Sequence, residues 1–166
     1  MLPVFPRRRN LRLPGYDYSS EGLYFVTICT DRRRLLFGNI ADGTMQLNRL
    51  GVVVDGIWSS MFRFCEDVPT WTVMPNHLHG IVTISDGATT QKSLGRLIAA
   101  FKTISTKRIN ELRNTPGQLV WQRNFYEHII ASDRALSRIV GYIQDNPMKW
   151  NEDPENPAMA MRQGNS

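Results

Sequence analysis

Two of the three histidines in the chain are separated by a single residue, in the segment MPNHLHG at positions 74–80. In a β-strand, residues i and i+2 point to the same face, with Cα atoms about 6 to 7 Å apart. His77 and His79 can therefore direct both imidazoles at one metal ion, while Leu78 faces the core. Gly80 leaves room for a close approach. Such a triplet also arises by chance as two strand histidines with ordinary hydrogen bonds, so the metal interpretation depends on residues elsewhere.

Tyr142 and Asn146 are four residues apart and lie on one face of any helix that contains both. Arg138 and Lys149 extend this polar face, which lies opposite the apolar one, so we expect Tyr142 to point outward into a groove. There it could meet a phosphate held by a histidine-bound metal, and Asn146 could complete the metal shell with its carbonyl oxygen. Pro147 disfavours helical geometry at the preceding residue, which predicts Asn146 at the C-cap. The alternative is that Tyr142 is an ordinary surface or half-buried aromatic residue.

Tyr126 is a second candidate nucleophile, because Glu127 and His128 follow it directly. Neighbours at i+1 and i+2 do not share a helical face, and in a strand only His128 would lie on the same side as Tyr126. We interpret the segment mainly as packing, with a structural contact between His128 and an acid. A supporting role near the metal, or Tyr126 as the nucleophile, remains the alternative.

The pattern of apolar residues predicts alternating strands and helices around these side chains. Runs of β-branched and aromatic residues indicate strands, and apolar residues at helical spacing indicate helices. The predicted elements are a strand over 23–29, a hairpin over 35–47, a helix over 50–66, strands over 70–73 and 77–84, a helix after Ser93, a strand opening at 119–121 and a helix after Ser132. This order predicts an α+β fold: a ferredoxin-like split βαβ with an antiparallel sheet and an added C-terminal helix that carries the nucleophile.

Length and composition are typical of one globular domain. The chain has 166 residues, of which 42% are hydrophobic, so it can fill a core and whole-chain disorder is excluded. Its net charge of +5 favours a polyanionic partner without identifying one. The longest apolar runs are only a few residues, so we expect no membrane span and no secretory signal. Cys29 and Cys65 form no CxxC pair, which is typical of a reduced, cytoplasmic protein.

Composition divides the chain into three parts. Residues 1–22 form a basic N-terminal arm, residues 23–150 the folded domain, and residues 151–166 a flexible tail rich in Pro, Asn and acid. The arm is either a frayed terminus or a basic strap for single-stranded nucleic acid. Candidates for phosphate contacts are Arg7, Arg8, Arg9, Arg12, Arg32, Arg33, Arg34, Lys102, Lys107 and Arg123.

Taken together, these motifs resemble the REP-associated tyrosine transposases. These are HUH single-strand endonucleases related to the tyrosine transposases of small insertion sequences. The stretches that carry the resemblance are RLPGYDY at 12–18, YFVTICT at 24–30, MPNHLHG at 74–80, WQRNFYEH at 121–128 and VGYIQDNP at 140–147. They span about residues 7 to 150, and their combination is specific although each piece alone is weak.

The resemblance implies a role for each matching residue. His77 and His79 correspond to the HUH metal ligands, Tyr142 to the catalytic tyrosine and Asn146 to the third ligand. The implied reaction cuts and rejoins single-stranded DNA near REP-type hairpins through a 5′-phosphotyrosine intermediate. The mixed N/O ligand set together with the resemblance implies Mg²⁺ or Mn²⁺ rather than zinc, which usually has three or four protein N/S ligands. It further implies a bacterial protein acting near the nucleoid, more often a monomer than a dimer.

Three other functions are compatible with parts of this pattern. A non-catalytic ferredoxin-like module could bind nucleic acid, and a metal-dependent hydrolase could use water instead of tyrosine. A replication initiator or relaxase could share the HUH site, although the short chain without a helicase domain disfavours it. No GxxxxGK[ST] motif occurs, in line with a reaction that needs no nucleotide cofactor.

Overall fold

The computed structural model describes residues 22–62, 70–84 and 93–159. Its elements are β1 (Gly22–Cys29), β2 (Gly38–Ala41), β3 (Thr44–Leu47), α1 (Arg49–Met61), β4 (Trp71–Met74), β5 (His77–Ile84), α2 (Leu94–Arg113), β6 (Tyr126–Ile130) and α3 (Asp133–Asp145). Short 3₁₀ turns cover Asp31–Arg33 and Trp150–Glu152. Of the predicted basic arm, residues 1–21 lie outside the described residues, and Gly22 begins β1.

The main sheet has four strands in the order β4-β5-β1-β6, and each neighbouring pair is antiparallel. The remaining two strands, β2 and β3, form a separate hairpin. The order of the four strands and the helices between them is that of the split βαβ unit. The predicted ferredoxin-like α+β class is therefore confirmed, with α3 added after the last strand. Among the described residues, no helix is long and apolar enough to cross a membrane.

One face of the sheet packs against α1 and α2. Alternate residues of β1 point to this side, where Tyr24, Val26 and Ile28 are fully buried. On β5, Gly80 faces the same side, because a Cβ atom built there would lie 2.2 Å from Cζ2 of Trp58. Gly80 therefore leaves room for a close approach, as predicted, and the group that approaches is the indole of Trp58 on α1.

The opposite face of the sheet is covered by α3. Phe25 and Ile81 of the sheet pack there with Ile139 and Ile143 of the helix, in a second and smaller apolar cluster. Ser132 caps the start of α3, since its hydroxyl accepts from the backbone N–H of Ala135 at 3.2 Å. This packing places the C-terminal end of α3 over the strand that carries the histidine pair.

The last strand begins later than predicted. Residues 119–121 do not open it, and β6 starts at Tyr126. Trp121 makes only a single bridge to Thr30, and its indole donates to the hydroxyl of Ser105 at 2.9 Å. The buried indole anchors this segment as a loop over α2, while Leu119 is left 67% exposed.

The expectation of a flexible tail is wrong for residues 151–159. Asp153 and Asn156 are buried there, with 4% and 6% of their surface exposed. The side chain of Asn156 donates to the carbonyl of Trp150 at 2.9 Å, which closes the segment on itself. Residues 160–166 lie outside the described part of the chain. The segment Trp150–Met159, referred to below as the C-terminal segment, therefore packs against the domain.

Candidate active site

The two histidines of β5 meet on the α3 side of the sheet. As the i, i+2 spacing predicts, both side chains lie on one face, and their Nε2 atoms are 3.0 Å apart. His77 is fully buried and His79 is 3% exposed. The ring of His79 stacks on Phe25 with centroids 5.5 Å apart. Two buried nitrogens this close can share a proton or bind one ion.

The other ring nitrogens hold the imidazoles in place. Nδ1 of His79 lies 2.8 Å from the hydroxyl of Thr27 on β1, and Nδ1 of His77 lies 2.8 Å from Oδ1 of Asn76. An amide oxygen only accepts, so His77 carries its proton on Nδ1 and keeps a lone pair on Nε2. A hydroxyl can also accept, which allows the same tautomer at His79. Both Nε2 atoms are thus available as metal ligands.

A carboxylate that the sequence patterns did not indicate completes a possible metal triad. Oδ2 of Asp153 lies 3.5 Å from Nε2 of His77. The ligand atoms of His77, His79 and Asp153 all lie within 4.8 Å of one another, and all three residues are buried. Asp153 belongs to the C-terminal segment, where no periodic pattern marked it as part of a site.

Asn146 lies at the C-cap of α3, as predicted, and is 3% exposed. Its backbone keeps helical angles, φ −57° and ψ −43°, despite the proline that follows. Among the described residues, neither its Oδ1 atom nor Oδ2 of Asp153 has a hydrogen-bond partner, and both atoms are buried. Two buried oxygens that accept no hydrogen bond, next to two imidazole nitrogens, form a donor set that a divalent cation satisfies. The residues present therefore fit a metal ion.

Tyr142 points at this cluster rather than away from it. Its hydroxyl oxygen lies 3.4 Å from Nε2 of His79, and its ring meets that of His79 edge-on with centroids 5.2 Å apart. The expectation that Tyr142 faces outward, opposite the apolar side of α3, is wrong. The polar residues at 142 and 146 lie beside Ile139 and Ile143 and share their orientation toward the sheet.

Burial determines the charge states of the site. It lowers the pKa of His77 to about 3 and also lowers that of His79, so both imidazoles are neutral. Burial raises the pKa of Tyr142, and the nearby carboxylate of Asp153 raises it further. Burial also raises the pKa of Asp153. A cation bound between these groups would favour the carboxylate and the phenolate, which the metal-free site disfavours.

A sequence profile of the family described as "Transposase IS200 like" matches residues 22–146, three quarters of the chain. The chain belongs to the IS200-like transposase family. The profile covers both histidines, Tyr142 and Asn146, and it ends before Asp153. The family resemblance inferred from the motifs is thus confirmed.

Two relatives and one solved structure are similar to this transposase. A Haemophilus influenzae protein described as "Uncharacterized protein" is 37% identical over an alignment 166 positions long, which covers 88% of this chain and 91% of the relative. A second protein from that organism, named "Putative REP-associated tyrosine transposase", is 27% identical over an alignment 145 positions long, which covers 80% of this chain and 74% of the relative. The solved structure, a REP-associated tyrosine transposase bound to a REP hairpin, is 23% identical with a TM-score of 0.49. The match covers 78% of this chain and 68% of the chain in the solved structure.

Tyr126, the second candidate nucleophile, lies on β6, which β1 separates from the histidine strand β5. Tyr126 is half-buried on β6, opposite Thr27 of β1, and meets Phe25 edge-on with ring centroids 6.4 Å apart. His128 lies on the same strand face and is exposed. Within the described residues no carboxylate forms an ion pair with His128, so the expected contact with an acid is not found there.

The predicted phosphate-binding residues have different surroundings. Four of them make contacts within the protein, and the first is Arg32, whose Nε lies 4.0 Å from Oδ2 of Asp31. Arg33 pairs with Glu155 at 3.0 Å, Arg34 donates to the carbonyl of Leu119, and Nζ of Lys102 lies 2.8 to 3.2 Å from three successive backbone carbonyls. The exposed members are Arg32, Lys107 and Arg123. The cations at positions 7, 8, 9 and 12 lie outside the described residues.

Proposed function

We propose that this transposase cuts and rejoins single-stranded DNA near REP-type hairpins, with Tyr142 as the nucleophile and a 5′-phosphotyrosine intermediate. The observation that carries the proposal is the distance of 3.4 Å between the Tyr142 hydroxyl and Nε2 of His79. Membership of a transposase family supports DNA strand transfer. The 27% identical relative, named "Putative REP-associated tyrosine transposase", supports a REP-associated role.

His77, His79, Asn146 and Asp153 would hold the metal ion, and Mg²⁺ or Mn²⁺ suits two imidazoles with two oxygens. When bound, the ion supplies positive charge to polarise the scissile phosphate and to stabilise the charge that develops during attack. Asp153 and Asn146 would contribute oxygen ligands, and the neutral histidines would contribute Nε2. Thr27 and Asn76 would keep those rings in the required tautomer.

Tyr142 would attack the phosphorus of the scissile phosphodiester. The new bond joins its phenolic oxygen to phosphorus, and the bond from phosphorus to the 3′-oxygen breaks, which leaves a free 3′-hydroxyl. Because the bond energy is kept in the phosphotyrosine link, the same or another 3′-hydroxyl can attack it and restore the DNA. The unperturbed tyrosine pKa is near 10, and burial raises it here, so Tyr142 is protonated before the attack. The phenolic proton would leave as the new bond forms, and the departing 3′-oxygen would take up a proton. A bound cation would supply positive charge that favours the phenolate.

Exposed cations would bind the DNA backbone around this centre. Arg32, Lys107 and Arg123 are exposed, whereas Arg33 and Lys102 have partners within the protein. Arg7, Arg8, Arg9 and Arg12 would add contacts from the arm. We expect the protein to act as a monomer on chromosomal DNA in the bacterial cytoplasm.

A labelled single-stranded hairpin oligonucleotide tests the chemistry. The full chain is incubated with it and Mn²⁺, and the products are separated on a denaturing gel. We expect a covalent protein–DNA band that is lost in Tyr142→Phe and in EDTA, and kept in Tyr126→Phe. A band lost only in Tyr126→Phe would reassign the nucleophile. Cleaved DNA without attached protein would indicate a hydrolase, and binding without cleavage a non-catalytic module.

A further inference from the structure

The side chain of Asn76 is fully buried between the histidine pair and the C-terminal segment. On one side its amide meets Nδ1 of His77 at 2.8 Å. On the other side it donates to the backbone carbonyl of Glu155 at 2.8 Å and to that of Arg33 at 3.2 Å. One amide thus contacts a metal-ligand histidine and two loops that are distant in sequence.

The chemical identity of these partners is enough to assign which side of the amide is oxygen and which is nitrogen. Two backbone carbonyls only accept, so the atom facing them must be the amide nitrogen. The amide oxygen therefore faces His77, and the imidazole must donate from Nδ1. Nε2 of His77 is left as a lone pair directed at His79 and Asp153.

The segment on the other side of Asn76 is the one that carries the carboxylate. Glu155 is two residues after Asp153, and its backbone N–H donates to Oδ1 of Asp153 at 2.7 Å. The guanidinium of Arg33 pairs with the Glu155 carboxylate at 3.0 Å and donates to the carbonyl of Pro154 at 3.3 Å. Asp153 is therefore held by a turn whose backbone is bound to Asn76.

We propose that Asn76 is a positioning residue that couples two metal ligands. Its oxygen holds His77 in the tautomer that binds metal, and its nitrogen holds the turn that brings Asp153 to the same ion. This inference rests on the metal site of the proposed function. A residue with only a packing role would fill this space without fixing either the tautomer or the turn.

Three full-length variants separate these roles. Asn76→Ala removes both functions of the amide. Asn76→Asp keeps an oxygen acceptor for His77 but loses the donor to Glu155. Asn110→Ala is the matched control, because Asn110 is also a buried amide and donates to the carbonyl of Gln118 at 2.8 Å, in a loop contact outside the metal site.

Three measurements follow on each variant: Mn²⁺ binding by calorimetry, histidine tautomers by long-range ¹H–¹⁵N spectra, and the rate of tryptic cleavage after Lys149. In Asn76→Ala we expect Mn²⁺ affinity to fall about 10- to 100-fold, a mixture of tautomers at His77, and faster cleavage. In Asn76→Asp we expect the Nδ1–H tautomer to persist while cleavage is faster. Asn110→Ala should stay within twofold of wild type in affinity and cleavage.

The outcomes distinguish this inference from the proposed function. If the wild-type chain binds no Mn²⁺, the metal site itself is wrong. If the wild type binds and Asn76→Ala keeps its affinity within twofold, or keeps a pure Nδ1–H tautomer, the positioning role is overturned. If Asn76→Ala does not fold, Asn76→Asp decides, and unchanged cleavage after Lys149 in that variant overturns the coupling.

Discussion

The hydroxyl oxygen of Tyr142 lies 3.4 Å from Nε2 of His79, although 63 residues separate them in the chain. Phe25 of the central strand contacts both rings, with centroids 5.5 Å from His79 and 6.0 Å from Tyr142. The helix bearing the phenol and the strand bearing the imidazole thus pack on one aromatic side chain. The distance between the proposed nucleophile and the proposed metal ligands is consequently set by the apolar packing of α3 on the sheet.

Replacing Asp153 should affect metal binding and stability in opposite directions. In Asp153→Asn, the loss of a charged ligand should weaken Mn²⁺ binding about 10- to 100-fold. Loss of a side chain that supports a metal site typically reduces metal affinity by this factor. Burial already raises the pKa of this carboxyl, so the neutral amide should stabilise the metal-free protein. Calorimetric titration and thermal melting in EDTA measure the two effects. Glu152→Gln, which changes an exposed acid in the same segment, should alter neither.

The metal-free protein should lose stability as the pH falls below about 6.5. Burial lowers the pKa of His77 to about 3 and also lowers that of His79, whereas both groups titrate near 6.5 when unfolded. Between those values only the unfolded chain binds the protons, so each histidine costs up to about 1.4 kcal/mol per pH unit. Urea unfolding in EDTA at pH 7.5, 6.5 and 5.5 measures this. A free energy of unfolding that is constant over the range would contradict the buried, neutral imidazoles.

Local periodicity explains which parts of the site could be predicted from sequence. The histidine pair follows from the two-residue repeat of a strand, and Tyr142 with Asn146 from the near-four-residue repeat of a helix. Both repeats are properties of the local backbone and do not depend on the rest of the chain. Whether Tyr142 points toward the sheet or toward solvent could not be inferred in the same way. It depends on how wide a surface of α3 packs against the sheet.

Asp153 could not be found from such a repeat. It lies among Pro154, Asn156 and Pro157, a composition typical of loose termini, and its position depends on contacts with Asn76 and Arg33 far away in the chain. The late start of β6 has a similar cause: Trp121 looks like a strand residue, but its indole bonds Ser105 of α2. Tertiary contacts overrode local propensity at both places.

Adding a methyl group at Gly80 should destabilise the fold. A Cβ atom there would lie 2.2 Å from Cζ2 of Trp58, and the indole is fully buried. Overpacking of this kind costs about 1 to 3 kcal/mol, so we expect Gly80→Ala to lower the melting temperature by several degrees. Gly56→Ala is the matched control, because a Cβ atom at this exposed position of α1 meets nothing within 4 Å. It should stabilise the helix by up to about 1 kcal/mol.

The neighbouring residues Arg32 and Arg33 should respond differently to loss of charge. The side chain of Arg32 is 88% exposed, whereas that of Arg33 is 18% exposed and pairs with Glu155 at 3.0 Å. If Arg32 binds a phosphate, Arg32→Gln should reduce the slope of log affinity against log salt by about 0.7 for single-stranded DNA. Arg33→Gln should instead speed tryptic cleavage after Lys149, because it releases the turn that carries Asp153. Fluorescence anisotropy at several salt concentrations measures the slope, and an unchanged slope in Arg32→Gln would remove this residue from the DNA interface.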